Sequence, residues 1–249
     1  MPILKHSRAG ILIAALSAAL ALTGCSENAD TAEAVPGSIT QNGSSENGPP
    51  PIPVMGKERR ILAFGDSLFA GYGFAEPATD SYPAKLEAAL RARGINARIE
   101  NAGVSGDTTA AGLKRLEFVL DAQDKKPDLF ILELGGNDLL RGLSPDQTRA
   151  NFTAMLDELK QRDIPVLIMG MRAPPNYGPE YQSAFDGLYG DLAQQYDAML
   201  IPFWLEAIYQ SPQLFQDDRI HPTVEGVEEL VGATVEQVAK ALPESAEAS

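Results

Sequence analysis

Ser67 stands in Gly65-Asp66-Ser67-Leu68, directly after the apolar run Arg60-Ile61-Leu62-Ala63-Phe64, and His221 stands far downstream in Asp218-Arg219-Ile220-His221. A serine hydroxyl is a weak nucleophile at neutral pH. It needs an imidazole to take its proton and a third group to hold that imidazole in one tautomer. Ser67, His221 and Asp218 can fill those roles as nucleophile, base and orienting carboxylate. The other histidine, His6, lies in a segment that reads as removable. Asp217 is the adjacent competitor of Asp218; Pro222 restricts the backbone after His221, and the choice of Asp218 rests on the D-x-x-H motif given below.

Acyl transfer from an ester or thioester passes through a tetrahedral intermediate whose oxygen becomes negative, so such a site needs donors aimed at that oxygen. The Ser67 N–H, the Gly103 N–H in Asn101-Ala102-Gly103 and the Asn137 side-chain amide in Gly135-Gly136-Asn137-Asp138 are the natural set. Seen alone, Gly103 reads equally as a turn glycine and Asn137 as a helix cap. Asp66 and Asp138 read as structural partners of the turns. Ser105, in Gly103-Val104-Ser105-Gly106-Asp107, nearly fits a nucleophile elbow but lacks its last glycine.

To bring these residues together, the chain must form a parallel sheet. Strands are expected at Arg60–Phe64, Ala97–Glu100, Leu129–Leu134, Val166–Met169 and Met199–Pro202. Helical spacing covers Tyr82–Arg93, Thr108–Ala122, Gln147–Arg162, Tyr181–Tyr196 and Thr223–Ala241. Strict alternation of strand and helix predicts an α/β chain, a flavodoxin-like three-layer α/β/α sandwich on a five-stranded parallel sheet. In the order 2-1-3-4-5, Ser67, Gly103 and Asn137 follow the first three strands and meet at one rim. The segment from Phe203 to His221 must then swing back from the sheet edge toward Ser67. Leu139–Leu143 and Arg172–Pro179, after strands three and four, are expected to line an acyl groove.

Residues 1–24 have the form of an export signal, with Lys5, His6 and Arg8 before the short apolar core Ile11–Leu22. The run Leu22-Thr23-Gly24-Cys25 resembles a bacterial lipobox, which implies lipidation of Cys25, the single cysteine. With Ser26 next, the resemblance to bacterial lipoproteins implies the outer membrane facing the periplasm; a soluble periplasmic protein is the alternative. Residues 25–57 read as a Ser-, Asn-, Gly- and Pro-rich tether, 58–242 as one catalytic domain and 243–249 as a flexible tail. The chain carries 20 basic and 34 acidic residues, a formal charge of -14. That balance argues against nucleic acid as a partner. One internal histidine and one N-terminal cysteine offer no zinc site, and no dinucleotide fingerprint or P-loop is present, so no metal or other cofactor is expected.

Four blocks appear in order: Phe64-Gly65-Asp66-Ser67-Leu68, Asn101-Ala102-Gly103-Val104-Ser105, Leu134-Gly135-Gly136-Asn137-Asp138 and Asp218-Arg219-Ile220-His221-Pro222. Together they resemble the SGNH or GDSL hydrolase family across essentially the whole domain. The resemblance implies Ser67 as nucleophile and oxyanion donor, Gly103 and Asn137 as further donors, His221 as base and Asp218 as its orienter. Ala70-Gly71-Tyr72, Arg141-Gly142 and Pro175-Asn176-Tyr177-Gly178 carry a narrower likeness to the bacterial arylesterase, acyl-CoA thioesterase and lysophospholipase subgroup. That likeness implies an esterase acting on aryl esters, lysophospholipids and acyl thioesters through an acyl-serine intermediate; for assembly, a monomer or weak oligomer is expected. A carbohydrate O-deacetylase of the same fold and a noncatalytic envelope-binding lipoprotein are the competing readings.

Overall fold

The computed structural model describes residues 52–243. The expected export signal, Cys25, most of the tether and residues 244–249 lie outside the described residues. The described chain runs β1 (Met55–Gly65), α1 (Ser67–Ala70), α2 (Pro77–Asp80), α3 (Tyr82–Ala92), β2 (Ile95–Gly103), α4 (Thr109–Asp121), β3 (Leu129–Glu133), α5 (Gly136–Leu140), α6 (Pro145–Gln161), β4 (Val166–Met169), α7 (Pro179–Tyr196), β5 (Met199–Ile201) and α8 (Val224–Ala241). The five strands form one sheet in the order β2-β1-β3-β4-β5, and every pairing is parallel. This is the α/β sandwich that the alternation predicts.

Side-chain alternation along the strands divides the core into two layers. Ile61, Ala63, Leu129, Ile131, Leu167 and Met169 face one layer, shared with Leu86 and Leu90 of α3 and Val227, Leu230 and Val235 of α8. Leu62, Phe64, Phe130, Leu132 and Ile168 face the other, shared with Leu116 of α4, Phe152 and Leu156 of α6 and Leu188 of α7. All five residues of β3 are buried, as the central strand of a sheet covered on both faces requires.

Helix starts follow local chemistry. In α6, Ser144 and Gln147 form a reciprocal capping box with Pro145 in the first turn, so the helix opens ahead of the expected Gln147. The Thr223 side chain caps α8 through Gly226 N–H, and the Thr108 side chain caps α4 through Ala111 N–H. The strand β1 begins at Met55, ahead of the expected domain start at 58, because backbone pairing with Ile95 and an Asn96 amide bond to Gly56 O extend it beyond its apolar run.

Candidate active site

The turn from β1 into α1 carries Ser67 to the rim of the sheet. Asp66 caps α1 by accepting from Leu68 N–H at 3.0 Å, and the first helical residue is Ser67. Among the described residues the Ser67 N–H has no acceptor. Gly65 allows the turn to lie against β3, since a Cβ there would stand 2.7 Å from a Glu133 carboxyl oxygen.

His221 arrives from the far edge of the sheet. Beyond β5, the segment 202–223 folds back across the rim and closes on itself through an antiparallel bridge between Phe215 and Pro222. Gln216 N–H donates to His221 O at 2.7 Å, and Gln216 Nε2 donates to Tyr72 O and Pro222 O, each at 2.9 Å. These bonds fasten the histidine-bearing turn to the loop after α1. His221 Nε2 then lies 2.8 Å from Ser67 Oγ, and His221 Nδ1 lies 2.6 Å from Asp218 Oδ2.

Asp218 also accepts from Ile220 N–H at 2.9 Å and His221 N–H at 3.0 Å. Partial burial raises the Asp218 carboxyl, but the His221 ring bond and the two backbone donors outweigh it and bring the group down to about 2. An ionised carboxylate can only accept, so Nδ1 carries the ring proton and Nε2 is left to accept from the serine hydroxyl. The Tyr72 ring packs on the imidazole with centroids 4.4 Å apart. Asp217 has no hydrogen bond to the imidazole.

Asn137 enters from α5, where its Nδ2 donates to Asp66 Oδ2 at 2.9 Å. One amide hydrogen is thereby spent on Asp66, and the other is free to face the cavity beside Ser67. Gly103 ends β2, and its N–H donates to Asn101 Oδ1 at 2.9 Å while Asn101 Nδ2 donates to Phe69 O at 2.7 Å. Its absent side chain has a separate use: a Cβ at Gly103 would stand 2.5 Å from Ala70 N. The structure therefore brings Ser67, Asp218, His221 and Asn137 together around one point, with the Gly103 N–H engaged by a neighbour in the free protein.

Residues 63–228 match the GDSL-like lipase/acylhydrolase family, two thirds of the chain and all four sequence blocks. The chain is a GDSL-like acylhydrolase. It is 40% identical over 164 residues to Esterase TesA of Pseudomonas aeruginosa, covering 66% of this chain and 80% of that one. The match to the thioesterase 1/protease 1/lysophospholipase L1 of Escherichia coli is also 40%, over 162 residues, covering 65% of this chain and 74% of that one. The crystal structure of AlinE4, an SGNH-hydrolase family esterase, superposes with a TM-score of 0.64 at 65% identity, covering 76% of this chain and all of that one. This acylhydrolase is a serine esterase by family.

Its remaining candidate residues separate into scaffold and wall. Asp138 is buried and accepts from Thr109 N–H at 2.8 Å, from the Thr109 hydroxyl and from Thr148 Oγ1 at 3.1 Å, which ties α5 to α4 and α6. Ser105 lines the same cavity as Ser67 but has no hydrogen bond to the imidazole. Among the described residues, no group of three or more His, Cys, Asp or Glu side chains could hold a metal ion.

A cavity of about 490 Å³ opens over Ser67 and His221. Leu139 and Leu140 line it, as expected for the loop after β3, but Arg172–Pro179 does not. Tyr177 and its neighbour Tyr181 instead donate hydroxyl bonds to Leu139 O and Leu143 O, each at 2.8 Å, bracing that loop from behind. Phe203, Leu205, Tyr209, Pro212 and Phe215 line the cavity as well. The physical reason is the return of the segment 202–223: the path that delivers His221 also lays its own apolar side chains along the site.

Sequence reasoning passed over Glu133. It is fully buried at the end of β3, where Oε2 accepts from Asp66 N–H at 3.2 Å and Oε1 has no hydrogen-bond partner. Burial and then the charge of Asp66 push its carboxyl well above the usual range; burial raises Asp66 too, opposed by the donors Leu68 and Asn137. The available signal was one acidic residue inside the apolar run Leu129–Leu134.

Proposed function

We propose that Ser67 attacks the carbonyl carbon of an acyl ester or thioester as His221 Nε2 takes its hydroxyl proton. The imidazolium forms against Asp218, which stays ionised and holds the ring. The developing oxyanion is met by the Ser67 N–H and the free hydrogen of Asn137 Nδ2; Gly103 N–H joins by releasing or sharing Asn101 Oδ1. His221 then returns the proton to the leaving group, and a water deprotonated by the same nitrogen releases the acid from acyl-Ser67. The observation that carries this reading is the continuous contact from Ser67 Oγ through His221 to Asp218, at 2.8 and 2.6 Å.

The apolar wall from Phe203 to Phe215 supports an acyl chain longer than acetyl as the bound portion. The names of the two curated relatives, an esterase and a thioesterase/lysophospholipase, support aryl esters, lysophospholipids and acyl thioesters as the substrate classes. The lipobox-like run ending at Cys25 supports attachment to the bacterial envelope by an N-terminal lipid, with residues 25–57 as the tether. Among the described residues no helix is long and apolar enough to cross a membrane.

The test is hydrolysis by the purified chain and its Ser67→Ala variant of nitrophenyl esters of rising chain length, an acyl-CoA, a lysophospholipid and an acetylated sugar. Ser67-dependent turnover that peaks on longer acyl chains is expected. Activity confined to acetyl groups would replace this substrate reading with an O-deacetylase. Membrane fractionation of Cys25→Ser tests the anchor: release into the soluble fraction is expected, and persistent attachment would overturn it.

A further inference from the structure

Glu133 is a buried carboxyl for which the catalytic cycle above has no use. It lies directly beneath the nucleophile turn, at the end of the central strand, with 0% exposure, and the neighbouring Asp66 carboxyl is 2% exposed. Two carboxylates this close and this buried cannot both be charged without a large cost, because solvent does not reach the second charge. Arg115, which reaches the same turn, is committed elsewhere: its Nε pairs with Asp107 at 2.6 Å and its Nη2 donates to Gly65 O at 3.0 Å.

The donors around the pair decide which member stays ionised. Asp66 accepts on both oxygens, from Leu68 N–H at 3.0 Å and from Asn137 Nδ2 at 2.9 Å. Glu133 accepts one backbone N–H, on Oε2, and Oε1 meets no donor at all. A charge on Asp66 is therefore solvated by the protein, and a charge on Glu133 is not. The other ionisable groups near this pair do not reverse that preference: Tyr189 from α7 spends its hydroxyl on Leu134 O, Asp138 from α5 is held by Thr109 and Thr148, and His221 favours the charged form of Asp66.

We propose that Glu133 is a positioning residue that carries a proton at neutral pH, so that Asp66 remains an acceptor and holds the Asn137 amide with one hydrogen aimed at the oxyanion. The chain of contacts is Glu133 to the Asp66 backbone, Asp66 to the Asn137 side chain, and Asn137 to the reacting oxygen. A charged Glu133 would drive the proton onto Asp66, whose oxygen would then be free to donate, and the Asn137 amide would lose the acceptor that fixes its direction. The inference rests on the reading of Asn137 as an oxyanion donor.

Four full-length variants test it: Glu133→Gln, Glu133→Leu, Asn137→Ala and the double variant Glu133→Leu/Asn137→Ala, each with a thermal melt to report folding. Glutamine presents a carbonyl acceptor and a donor group in the places of a neutral glutamic acid, with one N–H more and without the option of charge. Asn137→Ala is expected to lower kcat by about 10²–10³. Glu133→Leu is expected to lower kcat on the order of 10²-fold with KM little changed, through misplacement of that donor. In the Asn137→Ala background the Leu change should cost almost nothing further, and Glu133→Gln should recover most of kcat. Infrared difference spectra at neutral pH should show the carbonyl band of a neutral carboxylic acid in the parent and its loss in Glu133→Gln.

Absence of that band, a Gln variant as impaired as the Leu variant, or costs that multiply in the double variant would each overturn the proposal. A full-activity Asn137→Ala would sink the oxyanion reading together with the route through Asn137. The infrared band, which does not depend on turnover, keeps that failure distinguishable from an ionised Glu133.

Discussion

Gln216 and Tyr72 are joined by a 2.9 Å hydrogen bond from Gln216 Nε2 to Tyr72 O, and through it the turn bearing His221 is anchored to the loop that follows Ser67. The same Gln216 side chain donates to Pro222 O, next to His221. Gln216→Ala removes both bonds without touching a reacting atom. Its expected effect is a kcat lower by about 10-fold or more from misplacement of the imidazole, with the melting temperature reduced by a few degrees. Steady-state kinetics beside a thermal melt check it.

Ser67→Ala should lower kcat by roughly 10⁶ while leaving the melt unchanged, since the Ser67 hydroxyl supports catalysis and caps no helix. Nitrophenyl ester hydrolysis is the measurement. Turnover that survives the change would transfer the nucleophile's role to Ser105.

Acidification tests the Asp218 member of the Asp218–His221 pair. The folded-state Asp218 carboxyl lies below its ordinary value of 3.8, so the stability linked to it is complete above that pH and is lost as pH falls through about 2. Urea unfolding followed from about pH 6 down to about pH 2 should show this loss in the parent and not in Asp218→Asn. Asp218→Asn should lower kcat on the order of 10⁴-fold by releasing the ring tautomer.

Gly103→Ala is expected to destabilise the fold by about 1–3 kcal/mol, because its Cβ would stand 2.5 Å from Ala70 N and 2.9 Å from Phe69 C, both backbone atoms with little room to yield. Urea unfolding measures the cost. A neutral change would mean that α1 can move away from β2.

Phe215→Ala removes one apolar ring from the cavity lining. The expected result is a kcat/KM reduced by about 10-fold for long-chain esters and little altered for acetyl esters, the loss of apolar contact with the distal chain. Equal losses across the chain-length series would assign the acyl chain to a different part of the site.

The sheet and its strand order were legible because apolar runs such as Leu129–Leu134 alternate with helical spacing, and a parallel pair demands a crossover. The gathering of Ser67 and Asn137 at one rim followed from that order. Helices α1, α2 and α5 were not legible, being too short to display a period. The return of the segment 202–223 depends on Gln216 side-chain bonds and one bridge between Phe215 and Pro222, neither of which has a periodic signature. Its apolar residues consequently went unassigned, and Arg172–Pro179 was expected in their place. Glu133 was passed over for a different reason: nothing in the run Leu129–Leu134 says whether its one acidic residue is solvated, and only the packing of β1 against β3 reveals that it is dry.

Asp218 and His221 occupy a single turn, so their mutual geometry is a short-range property of four consecutive residues. Only one long-range distance, from His221 Nε2 to Ser67 Oγ, has to be supplied by the tertiary structure. The enzyme can therefore be switched off at one seam: detachment of the turn 211–221 from the rim would separate base from nucleophile while the sheet and both core layers, which hold Phe203, Trp204, Leu205 and Ile208 of the preceding stretch, stay folded. On gentle heating, inactivation should run ahead of the loss of helical signal, and cooling should restore activity without a refolding lag.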